Sequence, residues 1–570
     1  MAKEYNVISL LRHLLTSKGS IKYYLMKRET IELHTEQQVF NLLEDTNFQA
    51  KWDDLFTACP SATIFQSRSF VHTWYKIYHN KYLPIVITTM QDGRLTGLLT
   101  LAKQGKMIRF AGADQAEYCI WVTEEHNKES FIMQALQLVR KLYPHHSIYF
   151  KYLPENTPLN WINQIPWKHY CILKTFKQPL LKIDLNWSIA KLKRRSRKNE
   201  INKLKSKGTL SFERITDYEQ FAAVLDELII LYDFRKGAVY NQSQFRQDTR
   251  RKEFFLALFK EKLLHATLLK VNNTIVAASV YTIEGNKLYA KGLSTHAPEF
   301  AQLSPGMLHK ILLNKMLAEE AFEMMDLTPG GETYKDDLAS HYGQVYVLTV
   351  STNYLRLTNL VRSRFSQYLK KGIESLARKN DIEYSQLKKL RWNVLYTLDK
   401  LKTIRKQSFT TTVKLLVSQV QSVINPKIQK YISYAEVAKA ELGEDILLQK
   451  NSLRDLLAFD DRGTLISRWQ FLRNAMKRLE NNETVYTWSK KGHLIGCVWL
   501  TENKVIDSDA LQLEGIYIHF TYRKRIAEFL KAIIDKIKQE NMHSQLCALT
   551  TSSDKLLQKT FIDMGFKKAV

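Results

Sequence analysis

Ser304-Pro305-Gly306-Met307-Leu308 opens a stretch that runs through Leu312, Leu313 and Met316, then Phe322 to Leu327, and closes at Thr328-Pro329-Gly330-Gly331-Glu332-Thr333-Tyr334-Lys335-Asp336. Ser as N-cap and Pro at the first helical position start a helix, and the apolar spacing continues it. Phe322 to Leu327 is short and apolar enough for a buried strand. The stretch therefore reads turn, helix, strand, turn.

Working upstream, the apolar runs Leu263 to Val271 and Thr274 to Ile283 are separated by Asn272-Asn273, and Lys287 to Leu293 follows Gly285-Asn286. Asn and Gly tolerate positive φ, so both breaks signal hairpins. Antiparallel hairpins feeding a helix and then a strand make a mixed α/β unit. This order resembles the Gcn5-related N-acetyltransferase (GNAT) fold. More closely, residues 45 to 350 resemble the acetyltransferase family associated with bacterial cellulose biosynthesis (CelD/BcsL). The marks of that resemblance are a basic helix ending in glycine (Lys191 to Gly208), the Ser304-Pro305-Gly306 start, and Asp326, Gly330, Gly331, Glu332, Tyr334 and Lys335.

A chain of 570 residues is too long for one core, and 45% hydrophobic residues make it globular. Five widely spaced cysteines without a CxxC pair suggest neither a disulfide framework nor a zinc site, which fits a reducing, cytoplasmic setting. Leu10, Leu11, Leu14 and Leu15 are interrupted by Arg12, His13 and Lys18, so no signal peptide is expected. No apolar run approaches the ~20 residues that span a bilayer. The net charge of +27 is concentrated: residues 188–207 hold nine Lys or Arg and one Glu, and residues 355–430 hold seventeen Lys or Arg and four acids. These two stretches are where an anionic partner, tRNA or the inner face of a membrane, would be met.

Before this core lies a similar pattern. Trp52, Leu55 and Phe56, then Phe65, Phe70 and Trp74, have helical spacing; Pro84 to Met90 and Leu95 to Leu101 flank Gln91-Asp92-Gly93 as a hairpin. Met107 to Phe110 and Cys119 to Val122 continue as strands, and Phe131 to Leu142 as a helix. We read this as a first GNAT-like module that lacks a glycine-bearing helix start and shapes an acceptor cleft. Paired modules are also similar to the FemABX aminoacyl transferases, whose donor is aminoacyl-tRNA. Phe212 to Lys236 reads as one helix, with Arg235 near its end. After Val350, residues 353 to 406 have helical periodicity with a basic face. Near the C-terminus, Glu483 to Ser489 and Leu494 to Leu500 form a hairpin, followed by Gly515 to His519 as a strand, Ile526 to Ile537 as a helix and Cys547 to Thr550 as a strand. Here Tyr522 to Ala527 resembles the GNAT coenzyme loop without its glycines, and Phe561 stands where an aromatic acid is usual. Coenzyme binding is expected to be lost or weak in this module.

The expected architecture is α/β (α+β): an N-terminal segment 1–44, GNAT-like modules at 45–184 and 185–352, a basic helical linker 353–430, and a degenerate GNAT-like module 431–570. The function that the resemblance implies is transfer of an acyl group from acetyl-CoA or another acyl-CoA to an amine or hydroxyl of a small-molecule or glycan acceptor. Free amides at Ser304, Gly306 and Met307 would take the donor's phosphates, and Arg194 and Arg197 would clamp them. Asp326, at the end of a buried strand, would orient or deprotonate the acceptor, or simply cap its turn. The resemblance makes Tyr334 a proton donor and Lys335 a carbonyl contact. No metal is expected. The alternatives are an aminoacyl-tRNA donor or a non-catalytic scaffold for polysaccharide synthesis.

Overall fold

The computed structural model describes residues 13–15, 21–25, 29–124, 127–330, 332–352, 428–433, 446–462, 464, 466–502, 510–540, 545–551 and 554–568. They fall into two compact units. The first takes residues 1–225, 248–294 and 306–374, the second 226–247, 295–305 and 375–570.

In chain order the elements are β1 (His13–Leu15), β2 (Ile21–Leu25), β3 (Glu29–Thr35), α1 (Gln37–Glu44), α2 (Thr46–Thr57), α3 (Arg68–Tyr78), β4 (Leu83–Gln91), β5 (Arg94–Gln104), β6 (Met107–Phe110), β7 (Val122–Thr123), α4 (Lys128–Leu142), β8 (Ser147–Pro154) and β9 (Cys171–Lys182). There follow α5 (Leu185–Lys193), α6 (Arg195–Lys205), β10 (Leu210–Ile215), α7 (Tyr218–Tyr240), α8 (Gln244–Gln247), α9 (Arg250–Lys260), β11 (Leu264–Val271), β12 (Thr274–Glu284), β13 (Lys287–His296), α10 (Pro305–Glu319), β14 (Met324–Asp326), α11 (Thr333–Leu338) and β15 (His341–Val350).

Local chemistry sets many of these boundaries. The Asp45 and Ser67 side chains accept from Asn47 and Phe70 N–H and so start α2 and α3. The β4–β5 turn places Asp92 and Gly93 at φ 49° and 81°, and Asn272 turns β11 into β12 at φ 52°.

The strands of the first unit form one sheet in the order β1-β2-β3-β4-β5-β6-β8-β15-β9-β14-β13-β12-β11-β10, with β7 beside β5. From β3 to β10 this order is two similar halves back to back. In each half a helix crosses between a parallel pair: α4 joins β6 to β8, and α10 joins β13 to β14. The last strand of each half then pairs with the other half. β9 follows the first half but lies against β14, whereas β15 follows the second half but lies against β8. The two exchanged strands pair with each other from His341↔Leu180 to Val350↔Cys171. The exchange also reaches the cores. Leu348 and Val350 of β15 pack with Ile108, Phe131 and Leu136 of the first half, and Leu181 and Ile183 pack with Leu288, Leu313 and Leu317 of the second.

Four local readings of the sequence change. Residues 29–44 belong to the first half, since β3 pairs with β4. The 210–215 part of the run read as one helix is strand β10, whose backbone pairs with β11 from Leu210↔Val271 to Ile215↔Ala266 before Tyr218 starts α7. The basic helix is broken at Arg194, whose backbone is extended (ψ 139°), giving α5 and α6. Only Val122 of the Cys119–Val122 run is strand. Of the basic linker 353–430, residues 353–427 lie outside the described residues and 428–430 begin a strand.

The second unit has its own sheet. β16 (Ile428–Ser433), β17 (Leu448–Lys450), β18 (Thr484–Lys490), β19 (His493–Glu502), β20 (Ala510–Ile518), β21 (Gln545–Thr551) and β22 (Lys567–Lys568) are ordered β17-β18-β19-β20-β21-β16-β22. The expected hairpin and the helix at 526–539 are present, the latter burying Phe529, Leu530, Ile533, Ile534 and Ile537.

The exchange predicts that the halves do not fold apart. A fragment of residues 29–184, lacking β15, should give no cooperative unfolding transition by circular dichroism, whereas the full chain should. In the full chain Leu348→Ala should cost ~2–5 kcal/mol in denaturant titration. Cooperative unfolding of the short fragment would contradict this.

Candidate functional site

Asp326 ends β14, opposite Tyr289 of β13, and is 4% exposed. Its Oδ1 accepts from the Thr328 N–H at 2.7 Å, so it does cap its own turn. Its Oδ2 accepts from the Tyr118 hydroxyl at 2.6 Å and from Gln178 Nε2 at 2.6 Å. Tyr118 comes from the first half and Gln178 from exchanged strand β9, so this carboxylate is built by both halves. Burial pushes its carboxyl up to about 6; the hydrogen bonds from Tyr118, Gln178 and Thr328 hold it down, and the nearby charge of Glu117 raises it.

A cavity of about 750 Å³ opens over this carboxylate, lined among others by Phe56, Tyr118, Gln178, Glu284, Tyr289 and Asp326. Tyr289 donates to Glu284 at 2.6 Å, and burial raises the Glu284 carboxyl above its ordinary range. Beside Tyr118, Glu117 is 4% exposed, and its Oε2 lies 2.8 Å from both Lys151 Nζ of β8 and Lys291 Nζ of β13. Burial alone would raise Glu117, but the two ammonium groups more than offset it and hold it low. One carboxylate can neutralise only one of two cations. Lys151 is pushed down by burial but lifted overall by Glu117, whereas Lys291, with burial and Lys151 both against its charge, falls to about 8.

Lys291 occupies a distinctive place on β13. Strand alternation puts it on the Tyr289 face, and β14 pairs with β13 only from Lys287 to Tyr289, so the strands have parted where Lys291 stands. The next residue, Gly292, has φ +140°, and a Cβ there would come within 2.2 Å of the Val280 carbonyl oxygen, so the bend admits only glycine.

Lys335 is buried on α11; its Nζ donates to the Thr328 carbonyl at 3.0 Å and lies 3.1 Å from Glu332 Oε2, which ties down the turn after Asp326. Tyr334 packs with the Leu181, Leu288 and Leu313 cluster, with Lys310 Nζ 4.8 Å from its ring. Neither lines the Asp326 cavity, because Met325 and Leu327 point to the α10 face where Tyr334 packs, and Asp326 points to the other. Ser304 is left-handed (φ 48°) immediately before Pro305 starts α10, so the unbonded N–H groups of the first turn, Gly306 and Met307 included, begin there. Arg194 is exposed, but Arg197 is ion-paired with Glu200, the one acid of this basic stretch. Arg235 belongs to the second unit, where its charge partly offsets the burial that raises the Glu480 carboxyl, and it does not line the Asp326 cavity. Tyr118, Gln178, Tyr289, Glu117, Lys151 and Lys291 were not legible in sequence, since no spacing links them. Among the described residues no cluster of side chains suited to a metal is present, and no helix is long and apolar enough to cross a membrane.

In the second unit the loop before the 526–539 helix is a short 3₁₀ turn, Phe520–Arg525, without glycine. β20 and β21 pair only from Ala510 to Leu513, and a cavity of about 460 Å³ lies beside the unpaired end, lined by Trp499, Gly515, Tyr517, Phe520 and Arg523 among others. Phe561 is fully buried against Tyr431 and has no proton to give.

Residues 191–336 match the family described as acetyltransferase (GNAT) domain. No curated protein matches the chain. Among solved structures, FemX is similar at 12% identity over 55% of this chain and 98% of its own, with a TM-score of 0.38. A tandem GNAT protein from the clavulanic acid biosynthesis pathway is similar at 12% identity over 56% and 98%, with a TM-score of 0.35. L-PGS from Bacillus licheniformis is similar at 11% identity over 55% and 96%, also with a TM-score of 0.35. The matched residues run from α5 to α11 and hold the parallel β13–β14 pair, the α10 start and Asp326; this segment is a GNAT-type acyltransferase domain.

Proposed function

We propose that the chain transfers an acyl group, acetyl in the first instance, from acyl-CoA to an amine or hydroxyl of a sugar or cell-envelope precursor. The observation that carries this reading is Asp326: a buried carboxylate at the end of the strand that parts from β13, facing a cavity able to hold an acceptor. The α10 start suits the donor, because unbonded amides at Gly306 and Met307 attract phosphate and the parted strands leave room for an extended arm. Asp326 accepts a hydrogen bond from the attacking N–H or O–H and fixes its direction. Tyr118 and Gln178 hold the carboxylate in one orientation, so little reorganisation is needed at reaction. Tyr334 stands on the α10 face, on the donor's side of the sheet. The sugar or envelope acceptor follows from the CelD/BcsL resemblance of the sequence.

A second reading, with aminoacyl-tRNA as donor, is favoured by one observation: α6 buries only Leu204 and leaves Arg195 and Lys198 exposed next to exposed Arg194. Such a face suits a phosphate backbone or an anionic lipid surface. Calorimetric titration with acetyl-CoA, longer acyl-CoAs and charged tRNA separates the donors. Binding of tRNA alone, falling steeply with salt, would replace the first reading with the second.

Asp326→Asn keeps the volume and the turn cap. Its Nδ2 would face the Tyr118 and Gln178 donors where an oxygen accepted from them, so stability should fall by ~1–3 kcal/mol, and turnover of the folded variant should fall by at least ~10²-fold. Wild-type turnover in this variant would reduce Asp326 to a turn cap. Since Asp326 acts ionised, turnover should rise with pH through about 6. Tyr118→Phe removes a hydrogen bond that holds the carboxyl down, so the midpoint of that rise should move to higher pH; no shift, or a downward one, would contradict the arrangement.

A further inference from the structure

We infer that Lys291 receives the proton of the attacking acceptor, and that Glu117 and Lys151, both from the first half, are its positioning residues. The inference rests on the acyl-CoA reading above and adds the destination of the proton. Three geometric facts carry it. Lys291 projects from β13 on the Tyr289 side, the side on which the Asp326 cavity opens. It stands one alternate position beyond Tyr289, where β14 has ended and the sheet is parted. It is also one alternate position nearer along β13 to the α10 start than Tyr289, the last β13 residue on the cavity wall. The side chain is 22% exposed and is held by Glu117 at 2.8 Å; it stands just outside the wall of the Asp326 cavity, beyond Tyr289.

Asp326 is poorly suited to finish the transfer itself. Its two oxygens already accept three protein hydrogen bonds. A proton left there would compete with the donors that orient it. Lys291 is different: burial and the like charge of Lys151 press it toward the neutral amine, and Glu117 limits the fall, leaving it at about 8. Arg251 of α9 also bears on it and acts in the same direction as Lys151. A base whose conjugate acid titrates near working pH is the effective kind.

In the step itself the acceptor nitrogen or oxygen forms a bond to the thioester carbonyl carbon, and the carbon–sulfur bond breaks with its electron pair leaving on sulfur. The acceptor's proton moves to the neutral Lys291 amine, giving the ammonium. The thiolate departs, and the ammonium returns its proton to solvent. On this account the first half is part of the chemistry as well as a wall of the cleft.

The test follows thiol release from acetyl-CoA with hydroxylamine as probe acceptor across pH, in the full chain. Wild type should show turnover rising through about pH 8, above the rise assigned to Asp326. Glu117→Gln removes the opposite charge, so this midpoint should move to lower pH. Lys151→Met removes the like charge, so it should move to higher pH. Lys291→Met should lose the rise and at least ~10²-fold of turnover. Opposite shifts in the two neighbours are a readout that a purely structural cluster would not give. A rise near pH 8 retained in Lys291→Met, or shifts of the same sign in Glu117→Gln and Lys151→Met, would overturn the inference. If Lys291→Met does not fold, the two neighbour variants decide it alone. Failure of wild type to release thiol, together with no acetyl-CoA binding by calorimetry, would remove the acyl-CoA reading and this inference with it. An active wild type with an unaffected Lys291→Met would remove this inference only.

Discussion

The β9–β15 pairing is the constraint on which the site depends. Each half of the first unit lends its last strand to the other, and the two lent strands form the seam. A domain that ended its own sheet would leave an edge there, open to pairing with another chain. The exchange closes that edge and makes each hydrophobic core incomplete without residues from the other half. It also delivers Gln178 of β9 to Asp326, which a pair of self-contained modules joined by a linker would not do. The cleft is therefore as rigid as the sheet, and rigidity is what orienting a carboxylate requires.

Within that frame, burial and hydrogen bonding oppose each other at Asp326. Enclosure makes the charge costly, and three donors restore part of what water would have supplied. The balance leaves the carboxyl poised at about 6. The Glu117 cluster solves a related problem differently, with one carboxylate against two ammonium groups. The surplus cation is the one displaced toward neutrality. Both effects need long-range contacts, and both would vanish in an isolated half.

Local signals were legible in the sequence. Asn272-Asn273 and Asp92-Gly93 announced hairpins that are present, and Ser304-Pro305 marked the start of α10. Asp326 was identifiable because a carboxylate at a strand end before Pro-Gly-Gly is locally unusual. The exchange was not legible: β8, β9 and β15 carry ordinary strand residues, and nothing in a strand's composition states its partner. Tyr118 was hidden for the same reason, since it lies in a stretch without regular structure and meets Asp326 only after the halves close. The basic stretch misled in one respect, because its single acid, Glu200, occupies the arginine assigned to phosphate.

The most direct test is a crystal structure of the full chain with coenzyme A. The pyrophosphate should lie on the first-turn amides of α10, at Gly306 and Met307, with the thiol arm between the parted β13 and β14 and its end facing Asp326. Coenzyme A bound instead only in the second unit, beside Gly515 and Arg523, would contradict it.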